Sequence, residues 1–268
     1  MTKDEAEDLL YERRDGIGVI TFNRPASRNA LTFAMYDKLA EICRDVTGTH
    51  AAGERSVGAP VVTGAGGRAF AAGTDISSFR GIREAGDALA YETRINEVLD
   101  AVECCPVPTI AAIAGACTGG GAAIAAACDL RIATRDLKFG FPIARTLGNC
   151  LSTASLARLV ALIGSGRTRE ILLTARLIGT EEAQAIGLIS ESVDDFAAVQ
   201  TRAVELAHTL AGHAPLTIQA TKEALRRLRL RAADADDHDL ITLCYMSEDF
   251  REGQAAFLEK RPPVWKGR

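Results

Sequence analysis

A chain of 268 residues, 47% hydrophobic and 25% charged, has the composition of an ordinary globular protein and can bury a core without disulfide or metal staples. Its net charge of −4 gives no electrostatic reason to expect nucleic acid, and no apolar run is long enough to suggest a membrane span. The seven cysteines form no C-x-x-C pair and are expected to be reduced; with an acidic start lacking an export-signal core, a cytoplasmic protein is expected.

Ile17-Gly18-Val19-Ile20-Thr21-Phe22 reads as a strand, stopped at Asn23-Arg24-Pro25. Asn29-Ala30-Leu31-Thr32 is expected to open a helix with Leu31, Met35, Leu39 and Ile42 on its inner face. Ala59-Pro60-Val61-Val62-Thr63 is a second strand and runs into a first glycine loop, Gly64-Ala65-Gly66-Gly67-Arg68-Ala69-Phe70-Ala71-Ala72-Gly73-Thr74-Asp75. A helix over 88–105 follows, with Ile95, Val98, Leu99 and Val102 apolar and charged residues between them. A third strand, 109–114, leads to a second glycine loop, Gly115-Ala116-Cys117-Thr118-Gly119-Gly120-Gly121. The alanine-rich helix over 120–128 has no polar face, so it must be buried on every side. Residues 130–134 and 138–142 read as short strands, and 196–258 is helical only. The pattern is α/β, with a core over 1–195 and a helical segment over 196–268.

The chemistry concentrates in the two loops. Gly73 suits a positive φ, Asp75 is placed to cap, and the Thr74 N–H is left pointing outward. Gly119 and Gly121 free the second loop and let a ligand approach the Gly120 N–H. Either loop alone is most simply a turn, but two at matching strand ends can clamp an oxyanion such as a thioester enolate. Each donor is then worth about 2.7–4 kcal/mol.

Four ordered motifs are informative together: Asn23-Arg24-Pro25 with Asn29-Ala30-Leu31; Phe70-Ala71-Ala72-Gly73-Thr74-Asp75-Ile76; the segment 110–130 with Gly119-Gly120-Gly121 and Cys128-Asp129-Leu130; and Glu252-Gly253-Gln254-Ala255-Ala256-Phe257-Leu258-Glu259-Lys260-Arg261. With them the chain resembles the crotonase (enoyl-CoA hydratase/isomerase) superfamily over essentially its whole length. The resemblance implies a spiral of ββα units with a C-terminal helical trimerisation segment, hence a homotrimer or a dimer of trimers. It also implies an acyl-CoA substrate, with coenzyme A part of that substrate, no permanently bound cofactor and no metal. Thr74 and Gly120 would supply the oxyanion-hole N–H groups. Ala72, Asp75 and Ile76 in the first loop and Thr118 in the second would lie beside the substrate. Phe257 and Lys260 would reach the coenzyme A of a neighbouring subunit, and Arg24 and Arg28 would contact phosphate.

The sequence departs from that family where its hydratases carry two glutamates: Ala123 and Ile143 occupy those positions, and neither can move a proton. A positioned acid–base group is worth roughly 10²–10⁴-fold, so ordinary hydration is expected to be very slow. A double-bond shift, decarboxylation or acyl hydrolysis fits better, with Arg145 a candidate for a substrate carboxylate. The alternative from a different class is a non-catalytic acyl-CoA-binding protein. Cys150 is expected to be a small apolar filler, Asp129 to cap or pair, and the arginines over 226–231 to be a helix surface balanced by the aspartates over 234–239.

Overall fold

The computed structural model describes residues 8–46, 57–230 and 238–266; the acidic start, Arg231 and the aspartates over 234–237 lie outside them. Strand β1 (Leu9–Arg14), absent from the sequence reading, forms an antiparallel hairpin with β2 (Ile17–Phe22). The turn is Asp15-Gly16, both at positive φ (50° and 75°), and Asp-Gly is a strong hairpin signal. Helix α1 (Phe33–Asp45) starts later than expected, because the Thr32 side chain caps it by accepting from the Met35 N–H. Leu31 therefore lies outside the helix. Its N–H donates to the Gly73 carbonyl and its own carbonyl accepts from the Asp75 N–H, both at 2.8 Å.

Three ββα units follow. The first is β3 (Pro60–Gly64), β4 (Ala69–Ala71) and α2 (Ala85–Glu103). The second is β5 (Ile110–Ile113), β6 (Ala116–Thr118) and α3 (Gly120–Ala127). The third is β7 (Leu130–Thr134), β8 (Lys138–Gly140), the single turn α4 (Ile143–Thr146) and α5 (Thr153–Thr174), which is kinked at Gly164. Helix α6 (Thr180–Ala185) and strand β9 (Glu191–Val193) close the series. The first strand of each unit enters a six-stranded sheet of order β1-β2-β3-β5-β7-β9, parallel except for β1. The second strand enters a separate parallel sheet, β4-β6-β8. This is an α/β ββα spiral, and each glycine loop contains one strand of its small sheet.

Helix α3 is buried from Gly121 to Ala127, as an all-apolar helix requires. The helices α7 (Phe196–Ala211), α8 (Pro215–Leu230), α9 (His238–Tyr245) and α10 (Glu248–Glu259) complete the described chain. Helix α7 lies on the large sheet, with Val199, Ala203 and Ala207 packed against Val61, Ile110 and Ile132. On α8, Arg226 and Arg227 pair with Glu223 and the buried Arg229 with Glu103, while Leu225 and Leu228 are exposed. Asp129 accepts from the Thr109 N–H at 2.7 Å and pairs with Lys222, a structural role as expected.

One buried side chain fastens the first glycine loop. Asn29 Nδ2 donates to the carbonyls of Ala65 (3.0 Å) and Ala69 (2.8 Å), and its Oδ1 accepts from the Arg24 N–H at 2.9 Å. Replacing Asn29 with Ala strands these groups, and should lower unfolding stability by about 1–3 kcal/mol. Urea unfolding checks this: the midpoint should fall while the slope stays unchanged.

Candidate functional site

Strands β4 and β6 run parallel as neighbours, pairing Ala69 with Ala116 and Ala71 with Cys117. Both chains therefore leave the small sheet at the same edge. The turns that follow use Gly73 at φ 115° and Gly119 at φ 53°, backbone that L side chains rarely adopt. The turns touch: a Cβ on Gly119 would lie 3.4 Å from the Gly73 Cα. Gly120 is the first residue of α3, where an N–H has no partner within the helix. Among the described residues neither its N–H nor that of Thr74 finds an acceptor. Both residues line a cavity of about 170 Å³.

The Thr74 hydroxyl is held by two buried phenols, Tyr36 of α1 at 2.9 Å and Tyr91 of α2 at 3.1 Å. Burial pushes both phenols upward, so they remain neutral hydroxyls at ordinary pH. Tyr36 also explains why residue 120 is glycine. A Cβ there would stand 2.0 Å from the Tyr36 Oη.

Of the residues expected from the sequence, Ala72, Ile76, Thr118, Ala123 and Ile143 line this cavity with Thr74 and Gly120. Arg145 does not. In the single turn α4, Ile143, Thr146 and Leu147 face the cavity, which leaves Arg145 exposed on the opposite side. Phe257, which is also largely exposed, lines the cavity of its own chain. Helix α10 is seated there by Phe250, whose ring lies 4.8 Å from that of Tyr245, and by Gly253, packed on the Leu147 backbone. Lys260 is exposed at the α10 C-cap.

Asp75 caps the short helix after the first turn, accepting from the Ser77 N–H at 3.0 Å, and pairs with Arg24 at 2.8 Å. Burial pushes its carboxyl upward, but the bonds from Arg24 and Ser77 outweigh this and hold it below the usual carboxylate range. Arg24 also pairs with Asp8, so its guanidinium is engaged within the loop region. Arg28 is exposed, and its carbonyl accepts from the Ala72 N–H. Cys150 is half-buried, packs against the core as expected, and also lines the cavity.

Glu92 and Tyr245, two polar residues of the cavity region, were not singled out from the sequence. Glu92 on α2 is 6% exposed and lines the cavity. The Tyr245 hydroxyl of α9 donates to Glu92 Oε1 at 2.5 Å, and Asn149 Nδ2 donates to the Tyr245 oxygen at 3.3 Å. Burial, reinforced by the Glu92 carboxylate, pushes the Tyr245 phenol upward and keeps it a donor. A signal existed. Glu92 falls on the inner stripe Ala88, Glu92, Ile95, Leu99 of α2, where the other members are apolar and buried. Among the described residues no cation lines the cavity, and no group of three metal-ligating side chains occurs.

A profile of the enoyl-CoA hydratase/isomerase family matches residues 12–268. The chain is 33% identical over 264 residues to a 2,3-dehydroadipyl-CoA hydratase of Escherichia coli, covering 97% of this chain and 99% of that protein. It is 32% identical over 260 residues to a short-chain-enoyl-CoA hydratase of Clostridium acetobutylicum, covering 96% and 97%. Among solved structures, an enoyl-CoA hydratase/carnithine racemase of Magnetospirillum magneticum superposes with TM-score 0.76 at 33% identity, covering 97% and 96%. A methylmalonyl-CoA decarboxylase in complex with 2-nitronate-propionyl-CoA superposes with TM-score 0.84 at 26% identity, covering 97% and 98%.

The contact between Tyr36 and Gly120 can be tested by unfolding. Gly120→Ala should cost about 1–3 kcal/mol through overpacking. Adding Tyr36→Phe removes the oxygen in the way, so most of that loss should return in the double variant. Equal destabilisation in both backgrounds would show that the hydroxyl is not the obstacle.

Proposed function

Because this chain belongs to the enoyl-CoA hydratase/isomerase family, we propose that it acts on acyl-CoA thioesters by holding an enolate oxygen between the N–H groups of Thr74 and Gly120. The observation that carries the reading is the pair of unbonded N–H groups on touching turns at one cavity. Donors fixed before the reaction cost no reorganisation when charge develops on the thioester oxygen. The positive end of the α3 dipole adds to the Gly120 contribution.

The cavity's size and lining narrow the reading. A cavity of about 150 Å³ is enough for benzene, so one of about 170 Å³ suits a short acyl group. Ala123 and Ile143 present apolar surface where paired glutamates would otherwise activate and protonate water. A substrate carboxylate would meet Glu92 with no cation among the described lining residues, which disfavours decarboxylation. Carbon-to-carbon proton movement, as in a double-bond shift, is the reaction that fits best. Arg28 and Lys260, both exposed, are available for the phosphates of coenzyme A. The exposed Leu225 and Leu228 of α8 favour self-association, consistent with a trimer or a dimer of trimers.

Two experiments test the reading. In the Tyr36→Phe background, both Gly120→Ala and Gly120→Pro add a Cβ, but only proline deletes the N–H, and proline is tolerated at a first helical position. Turnover of short 3-enoyl-CoA should therefore fall roughly 10²–10³-fold further with proline than with alanine. Equal rates would remove Gly120 from the hole, and coenzyme A thioester binding without turnover by the parent protein would favour a non-catalytic role. Separately, Ala123→Glu with Ile143→Glu should raise crotonyl-CoA hydration above the parent rate. No gain would show that the cavity differs by more than the two carboxyls.

A further inference from the structure

A carboxyl group on the apolar stripe of a helix is costly to bury unless hydrogen bonds or a function offset the cost. Glu92 is such a group, and it shares one small cavity with both candidate enolate donors. We infer that Glu92 is the catalytic group that moves the substrate proton, serving from α2 in place of the glutamates absent at Ala123 and Ile143. The inference rests on the enolate reading above.

The geometry gives one carboxyl group access to one acyl chain. Thr74, Gly120 and Glu92 line the same cavity of about 170 Å³, so a thioester whose oxygen sits at the two N–H groups would extend its acyl chain within that cavity. For a 3-enoyl thioester, the Glu92 carboxylate takes a proton from C2. The C–H electron pair passes to the thioester oxygen, giving a dienolate held by the two N–H groups. The Glu92 carboxylic acid then returns that proton to C4, the carbonyl re-forms, and the double bond ends between C2 and C3. The carboxylate is regenerated and nothing else is consumed. A single proton carrier suffices for this shift, whereas the family's hydratase pattern uses two.

Tyr245 is a positioning residue in this scheme. It accepts from Asn149 and donates to Glu92 Oε1, which fixes one carboxyl oxygen. The titratable groups around Glu92 are Tyr36 of α1, Tyr91 of α2, Tyr245 of α9, and Cys150, which lines the cavity between α4 and α5. All three phenols are raised by burial and stay neutral in the working range. Cys244, hydrogen-bonded to Cys150 and thereby lowered to about 7, titrates in that range.

The test is deuterium uptake at the α-carbon of hexanoyl-CoA in heavy water, read by mass spectrometry, together with isomerisation of 3-hexenoyl-CoA. The full-length protein should exchange, and Glu92→Gln should lose about 10²–10⁴-fold in both readouts while still binding hexanoyl-CoA. Exchange by Glu92→Gln at the parent rate overturns the role of Glu92 and leaves the enolate reading standing. Absence of exchange in the parent despite binding overturns the enolate reading and this inference with it. A second variant covers the case in which Glu92→Gln fails to fold. In a Cys244→Ala background, which removes the competing titration, Tyr245→Phe deletes a donor to the carboxylate and so raises its pKa. A base works in its deprotonated form, so the acid limb of the exchange profile should move to higher pH. An unmoved limb overturns the inference.

Discussion

The close approach of α3 to β4 is the constraint on which the rest of the molecule depends. A Cβ on Gly121 would stand 2.3 Å from the Ala71 carbonyl oxygen, so no side chain separates helix from strand. With that gap closed, the first turn of α3 lies against the turn that leaves β4, and the Gly73 and Gly119 backbones touch. A larger residue at 121 would move α3 outward and part the two N–H groups. The alanines after it serve the same end, because small side chains let α3 sit at the centre of the fold with nothing exposed.

A second layer is polar and surrounds the turns. Tyr36 and Tyr91 fix the Thr74 hydroxyl, Asp75 fixes the start of the following helix, and Asn29 fixes the loop from behind. Each of these groups is satisfied within the protein, whereas the Thr74 and Gly120 N–H groups are not. That contrast separates the groups that hold the turns in place from the two N–H groups on which the proposed reading rests. Arg24 belongs to the first kind through Asp8 and Asp75.

Much of this was readable from the chain, for identifiable reasons. Long periodic elements such as α2, and apolar runs such as β2 and β5, carry their pattern in sequence. So do the two glycine turns, because positive φ restricts residue type. Strands β4 and β6 were hidden inside their loops, since three residues within a glycine-bearing loop have no measurable alternation. Arg145 was misplaced because proximity to Ile143 in sequence does not decide which side of a single helical turn a residue occupies. That Phe257 lines the cavity of its own chain was not readable, because the seating of α10 depends on Gly253 and Phe250, contacts distant in sequence from the loops. Glu92 was overlooked as one more charge on a mixed helix. Its place on the inner stripe of α2 distinguishes it from the charges facing outward.

The hydrogen bond from Tyr245 to Glu92 joins residues 153 positions apart. Glu92 and both turns come from the first half of the chain, whereas the phenolic partner of Glu92 comes from α9. Docking of the last helices, which also brings Phe257 over the cavity, finishes the site.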